Sequence, residues 1–184
     1  MQKTLVSARK DEYGKKDANS TFNPRVVARD VTGQEPANQV NAAASGMTRE
    51  EILSVETIML PNRNLYEVPE CVMAMQNATR IYLNGNNLET LPNWLWRLEK
   101  LELVLLDNNR FTTIPEVILG LPNLRLLSMD NNDIRHVPER INLMPQLDTL
   151  FLYNNNRIDH LPYALMQCVR DGTIKVGLSK REGF

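Results

Sequence analysis

Five prolines recur at almost constant intervals and limit the architectures open to the chain. Pro69, Pro92, Pro115 and Pro138 are each 23 residues apart, and Pro162 follows after 24. Each is preceded by an aliphatic residue: Val68, Leu91, Ile114, Val137 and Leu161. Nine residues before each of the first four prolines lies another apolar residue: Leu60, Leu83, Leu106 and Met129. In the fifth unit Leu152 lies ten residues before Pro162, so one residue has been inserted. A unit this short has no interior of its own. Its inward aliphatics are buried only by the next copy, so the expected architecture is a stack of coils.

The second unit serves as template. Ala78, Ile81 and Leu83 point inward from a short strand, Asn86 turns the chain, Leu88 and Leu91 point inward again, and Pro92 opens the return leg. Leu95 and Leu98 pack on the far side before Leu101 begins the next unit. The same positions recur in the other units, except that Arg63 stands where the first should carry asparagine. Side by side, the strands predict a parallel sheet with ~4.8 Å between neighbours. Asn86, Asn109, Asn132 and Asn155 are expected to be buried, their amides bonding turn backbone that would otherwise go unpaired. The prolines suit the first position of a helical turn or a polyproline stretch, so the return legs are expected to be short turns.

Three regions follow. Residues 1–46 are polar and unperiodic, an arm that either stays disordered or orders against the solenoid or a partner. Phe22, Val26, Val27 and Val31 are its plausible anchors. Residues 47–170 form the repeat body, opened by Thr48 and Glu51, a capping box for a short helix covering the first coil. Residues 171–184 hold a turn at Gly172, an edge strand with Ile174, Val176 and Leu178 alternating, and a basic tail.

Composition narrows the function. The formal net charge is −1, which gives no electrostatic case for nucleic acid or an acidic membrane. No run of apolar residues is long enough to span a bilayer, so no membrane insertion is expected. Cys71 and Cys168 lie in the first and last units, too far apart in a stack to pair, which suggests free thiols and reducing, intracellular, cytoplasmic surroundings. Lys3, Arg9 and Lys10 keep a mitochondrial presequence open, although Asp11 and Glu12 follow at once.

The registered units resemble the leucine-rich repeat family, in its intracellular 23-residue type with Leu-Pro after the turn. That type is similar to the repeats of Ras-pathway scaffold proteins and of plant Ras-group-related repeat proteins. The resemblance covers about residues 50–168 and implies an α/β solenoid, a short leucine-rich repeat horseshoe of about five units with a parallel concave sheet. It also implies partner binding on that sheet, with catalysis, where present, in a separate domain.

The strand positions that alternate with the core should line the concave face. Met59, Tyr82, Leu103, Leu105, Leu126, Phe151 and Tyr153 would form an apolar and aromatic patch, the kind of surface that marks an interaction site. Glu102, Asp107, Asp130 and Asp148 would rim it, with Arg80 and Arg125 between. Cover by the arm, or by the short sheet's own curvature, is the competing expectation. Trp94 and Trp96 fall near the surface of a return leg, and His136 and His160 share a column, short of the three or four ligands a metal needs. No glycine-rich nucleotide loop exists, and Cys168 with Asp171 has no histidine arranged as a base. The expectation is therefore a non-enzymatic interaction module with no cofactor, metal or small-molecule substrate. Its partners are proteins, and nucleic acid enters only as part of a ribonucleoprotein. A structural subunit of a larger intracellular assembly is favoured over a soluble signalling adaptor.

Overall fold

The computed structural model describes residues 46–179; the arm and the last residues of the basic tail lie outside them. The chain enters through α1 (Arg49–Leu53) and then repeats strand and return leg. The strands are β1 (Thr57–Met59), β2 (Arg80–Tyr82), β3 (Leu103–Leu105), β4 (Leu126–Ser128), β5 (Thr149–Phe151) and β6 (Lys175–Gly177). They form one parallel sheet in sequence order. Ile58, Ile81, Val104, Leu127, Leu150 and Val176 stand in register across it. The alternate side chains of each strand, together with the aliphatics of the return legs, make one continuous core running the length of the stack.

Thr48 caps α1 as its sequence predicts. Its hydroxyl accepts from the Glu51 amide at 3.2 Å, and the Glu51 carboxylate accepts from the Thr48 amide at 2.9 Å. The return legs are single 3₁₀ turns at Glu70–Ala74, Asn93–Arg97 and Glu139–Leu143, and a four-residue α2 at Glu116–Leu119. Each proline sits one position earlier than the first helical residue, as an N-cap in polyproline geometry; Pro92 has φ −68° and ψ 144°. Proline has no N–H to lose there and its fixed φ suits the entry. The fifth return leg breaks the expected pattern of short turns. It is a nine-residue helix, α3 (Tyr163–Asp171), ended by Gly172 at φ +81°. Only after this longer leg does the chain re-enter the sheet as β6.

Two side-by-side columns of turn residues fix the coils to one another. In the first, Asn109 Oδ1 accepts from the Leu88 amide of the preceding coil at 3.0 Å, while its Nδ2 donates to the carbonyls of Leu83 and Leu106 at 3.0 Å each. Asn132 does the same with Phe111, Leu106 and Met129. Asn86 accepts from two amides, those of Arg63 and Leu65. The second column is one residue earlier: Asn62, Gly85, Asn108, Asn131 and Asn154, all left-handed, with φ between 54° and 72°. Asparagine tolerates this region better than other side chains, and glycine enters it freely.

Candidate functional site

The sheet positions that face away from the core form three columns. Thr57, Arg80, Leu103, Leu126 and Thr149 make the first. Met59, Tyr82, Leu105, Ser128 and Phe151 make the second, and Lys175 and Gly177 extend the pair onto β6. Pro61, Asn84, Asp107, Asp130 and Tyr153 follow two residues beyond the second. The structure thus brings together Met59, Arg80, Tyr82, Leu103, Leu105, Leu126, Phe151, Tyr153, Asp107 and Asp130 on one surface.

That surface is not uniform. On β1 to β3 its side chains are half-buried: Met59, Arg80, Tyr82, Leu103 and Leu105 all keep partial access to solvent. On β4 and β5 they are closed off. Leu126, Ser128, Thr149 and Phe151 are only 6%, 1%, 5% and 5% exposed. Leu126 and Phe151 are also absent from the continuous core cluster, so it is not the solenoid interior that buries them. An apolar patch open along its whole length, expected from the strand alternation, is therefore corrected to one open over its first three strands.

Asp107 and Asp130 also differ from expectation. Neither rims the patch; both are buried within it. The Asp107 carboxylate accepts from the Asp130 amide at 2.9 Å and from the Ser128 hydroxyl. The Asp130 carboxylate accepts from the Tyr153 amide at 2.8 Å. Each acid thus secures the strand exit of the next coil, a structural duty that strand periodicity alone does not reveal. The acids left at the edge are Glu102, which is exposed, and Asp148, paired with Arg125 at 3.2 Å where both are well exposed, a geometry that contributes little to stability.

The aromatic end of the patch depends on a residue the sequence reading passed over. Phe151 and Tyr153 stack with ring centroids 6.1 Å apart. Both lean over Gly177 of β6, where a Cβ would meet Tyr153 at 2.5 Å and Phe151 at 2.7 Å. The signal was present as a glycine inside an otherwise apolar-alternating strand, which often marks a close approach.

Away from the sheet the candidates separate. Trp94 packs partly against the core, whereas Trp96 is exposed, with the Arg97 guanidinium 5.8 Å from its ring. His136 and His160 are both exposed. Among the described residues no three histidine, cysteine or acidic side chains gather as metal ligands. Cys71 and Cys168 are free and half-buried, and burial pushes the Cys71 thiol above its ordinary pKa. No helix among the described residues is long and apolar enough to cross a membrane.

The comparisons with known proteins agree with this architecture. A family model described as Leucine Rich Repeat matches residues 77–98, the second coil and its return leg. No curated protein sequence matches. Among solved structures, a leucine-rich repeat protein of Leptospira interrogans is similar at 27% identity and a TM-score of 0.55, over 65% of this chain and 29% of that one. An internalin, InlF, of Listeria monocytogenes is similar at 21% identity and a TM-score of 0.51, over 68% of this chain and 41% of that one. The chain thus spans less than half the length of either protein. Its fold is a leucine-rich repeat solenoid with a curved parallel sheet. The matches reach the fold and not the Ras-linked subtype that the Leu-Pro repeats suggested.

Proposed function

We propose that this leucine-rich repeat solenoid is a non-catalytic module that binds a partner protein through the first three strands of its concave sheet. The observation that carries the reading is the half-open group Met59, Tyr82, Leu103 and Leu105, with Arg80 beside it. Large apolar side chains on a sheet face contribute binding energy only when something covers them, and aromatic and arginine side chains are over-represented among residues that dominate interface energetics. A three-strand face is small, so the contact is one interface among several in a larger intracellular assembly, and the chain serves there as a structural subunit. The Leu-Pro form of the repeat and the absence of paired cysteines among the described residues favour the cytoplasm.

A photo-crosslinking side chain at Leu105, compared with one at exposed Glu116 on the opposite surface, tests this in cells. Adducts to a protein should form from position 105 and be lost with Met59→Glu, while the variant keeps its circular dichroism. Adducts forming equally from position 116 would overturn the reading. A signalling adaptor, the second reading, would sediment as a small species; the subunit should sediment with a large complex.

A further inference from the structure

We propose that Asn84 and Gly85 form a latent modification site, where the asparagine deamidates spontaneously when the second coil parts from the third. Asn84 is the one asparagine in the 184 residues that a glycine follows. The chemistry is intramolecular. The Gly85 nitrogen gives up its proton and attacks Asn84 Cγ. The new C–N bond closes a five-membered imide, and the side-chain nitrogen leaves with a proton as ammonia. Water then opens the ring. Addition at the side-chain carbonyl leaves aspartate; addition at the main-chain carbonyl leaves isoaspartate, with the backbone routed through the side chain. Glycine matters because it has no Cβ to obstruct the approach to its nitrogen. In the other turns asparagine is followed by residues that do carry one, such as Arg63, Leu65 and Asn155.

In the closed stack this peptide unit is held from both sides. The Asn84 carbonyl accepts from the Asn62 amide of the first coil at 2.9 Å, and the Gly85 amide donates to the Asp107 carbonyl of the third at 2.8 Å. Both distances are those of well-formed bonds. Ring closure needs the Gly85 nitrogen stripped of its hydrogen and swung towards Cγ about the Asn84 Cα–C bond. Losing the hydrogen would set an anionic nitrogen against a carbonyl oxygen, and the swing would carry both clamped groups out of line. Burial is not what protects the site, because Asn84 and Gly85 are only half-buried. Nor is the carboxamide itself tied down: among the described residues it makes no hydrogen bond. The clamp on the backbone is what keeps it silent. Asn109 seats that clamp, since its Nδ2 donates to Asp107 O at 3.3 Å and to Leu83 O at 3.0 Å while its Oδ1 takes the Leu88 amide.

A site built this way records opening. Each separation of the two coils frees the unit to cyclise, and the fold has room for the aspartate that results. The next two coils carry buried aspartates at the same position, Asp107 and Asp130. Asn84 lies two residues beyond Tyr82, so each event adds a carboxylate beside the half-open group on β1 to β3. The inference holds whatever that group binds.

The test uses the full chain, purified without any partner, so its outcome is separate from that of the crosslinking experiment. The chain is kept at mildly alkaline pH, either folded or in urea beyond its unfolding transition. Conversion at Asn84 is followed by peptide mass, with labelling by an isoaspartyl methyltransferase as a second readout. Deamidation should be at least about tenfold slower in the folded chain. Asn109→Ala should speed it in the folded chain by about tenfold or more. Gly177→Val, which disturbs the distant β5–β6 end, should change it by less than about twofold. In the parent, with urea still too dilute to unfold it, the rate should rise in step with hydrogen exchange at the Gly85 amide. The proposal is overturned if folded and unfolded chains react alike, or if neither reacts. It is equally overturned if the rate does not follow Gly85 exchange, or if Gly177→Val accelerates the reaction as much as Asn109→Ala, which would make global unfolding the gate.

Discussion

Replacing Asn109 with alanine isolates what a single amide of the turn column does. Its Oδ1 is the acceptor of the Leu88 N–H, and among the described residues that amide has no other acceptor. The three carbonyls it serves are not left alone: Asp107 O, its most distant acceptor at 3.3 Å, also accepts from the Gly85 amide at 2.8 Å. Leu83 O also accepts from Asn86 at 2.8 Å, and Leu106 O also accepts from Asn132 at 3.0 Å. Truncation therefore orphans one buried donor outright and thins three acceptors that keep a partner. The orphaned donor costs about 1–3 kcal/mol, and the bonds lost from satisfied carbonyls add about 1 kcal/mol in total. We expect a loss of roughly 2–4 kcal/mol. Urea unfolding followed by circular dichroism measures it, with exposed Glu99→Ala as the reference expected to lie within about 0.5 kcal/mol of the parent. Amide exchange supplies the specific signature, because the Leu88 N–H should lose protection before its neighbours do. A cost below about 1 kcal/mol, or unchanged protection at Leu88, would refute the argument that the amide side chain is that donor's sole acceptor.

Three further outcomes follow from the same geometry. Gly85 occupies the left-handed column at φ +72°, and an added Cβ would press on the Asn62 carboxamide, Oδ1 first and Cγ at 2.9 Å, with the Asn62 backbone no closer than 3.5 Å. Gly85→Asn should therefore shift stability by less than about 1 kcal/mol, whereas Gly85→Val, β-branched at positive φ, should cost more than about 2 kcal/mol in the same urea assay. Gly177→Val pushes on the Phe151 and Tyr153 rings and should destabilise by about 1–3 kcal/mol, with an altered near-ultraviolet tyrosine signal. Burial raises the Cys71 thiol pKa, so its thiolate is scarcer at a given pH than that of a free thiol. Alkylation of Cys71 at pH 8 should be slower than that of an unstructured cysteine peptide and should climb with pH beyond the point where the peptide's rate has levelled off.

The repeat register was legible because period and packing are one fact here. Leu83, Leu106, Met129 and Leu152 had to be inward, since a single-residue slip would turn each strand's aliphatics out to solvent. The asparagine column was legible for the same reason: one polar residue recurring inside an apolar frame needs a buried partner. What escaped was information carried between units. Asp107 and Asp130 look like surface acids in a list of alternating positions, and only the neighbouring strand's exposed amide gives them an internal role. The nine-residue α3 was hidden because β5 and β6 pair 26 residues apart, and of the extra residues the proline spacing shows only the one before Pro162, not those in the return leg after it. The closed half of the face was invisible to periodicity, which says which way a side chain points and nothing about how far its surroundings close over it.

Each interior coil bonds to its neighbours through the same atoms at the same offsets. A duplicated stretch of coding sequence spanning one period, spliced between β3 and β4, would meet a docking surface identical to the one it displaces. Lineages carrying this chain can thus gain or shed length in whole-coil steps at little risk to foldability. The exception is the coil that carries α3: Thr149 pairs with Lys175, 26 residues on, so a copy of it placed inward would break the count.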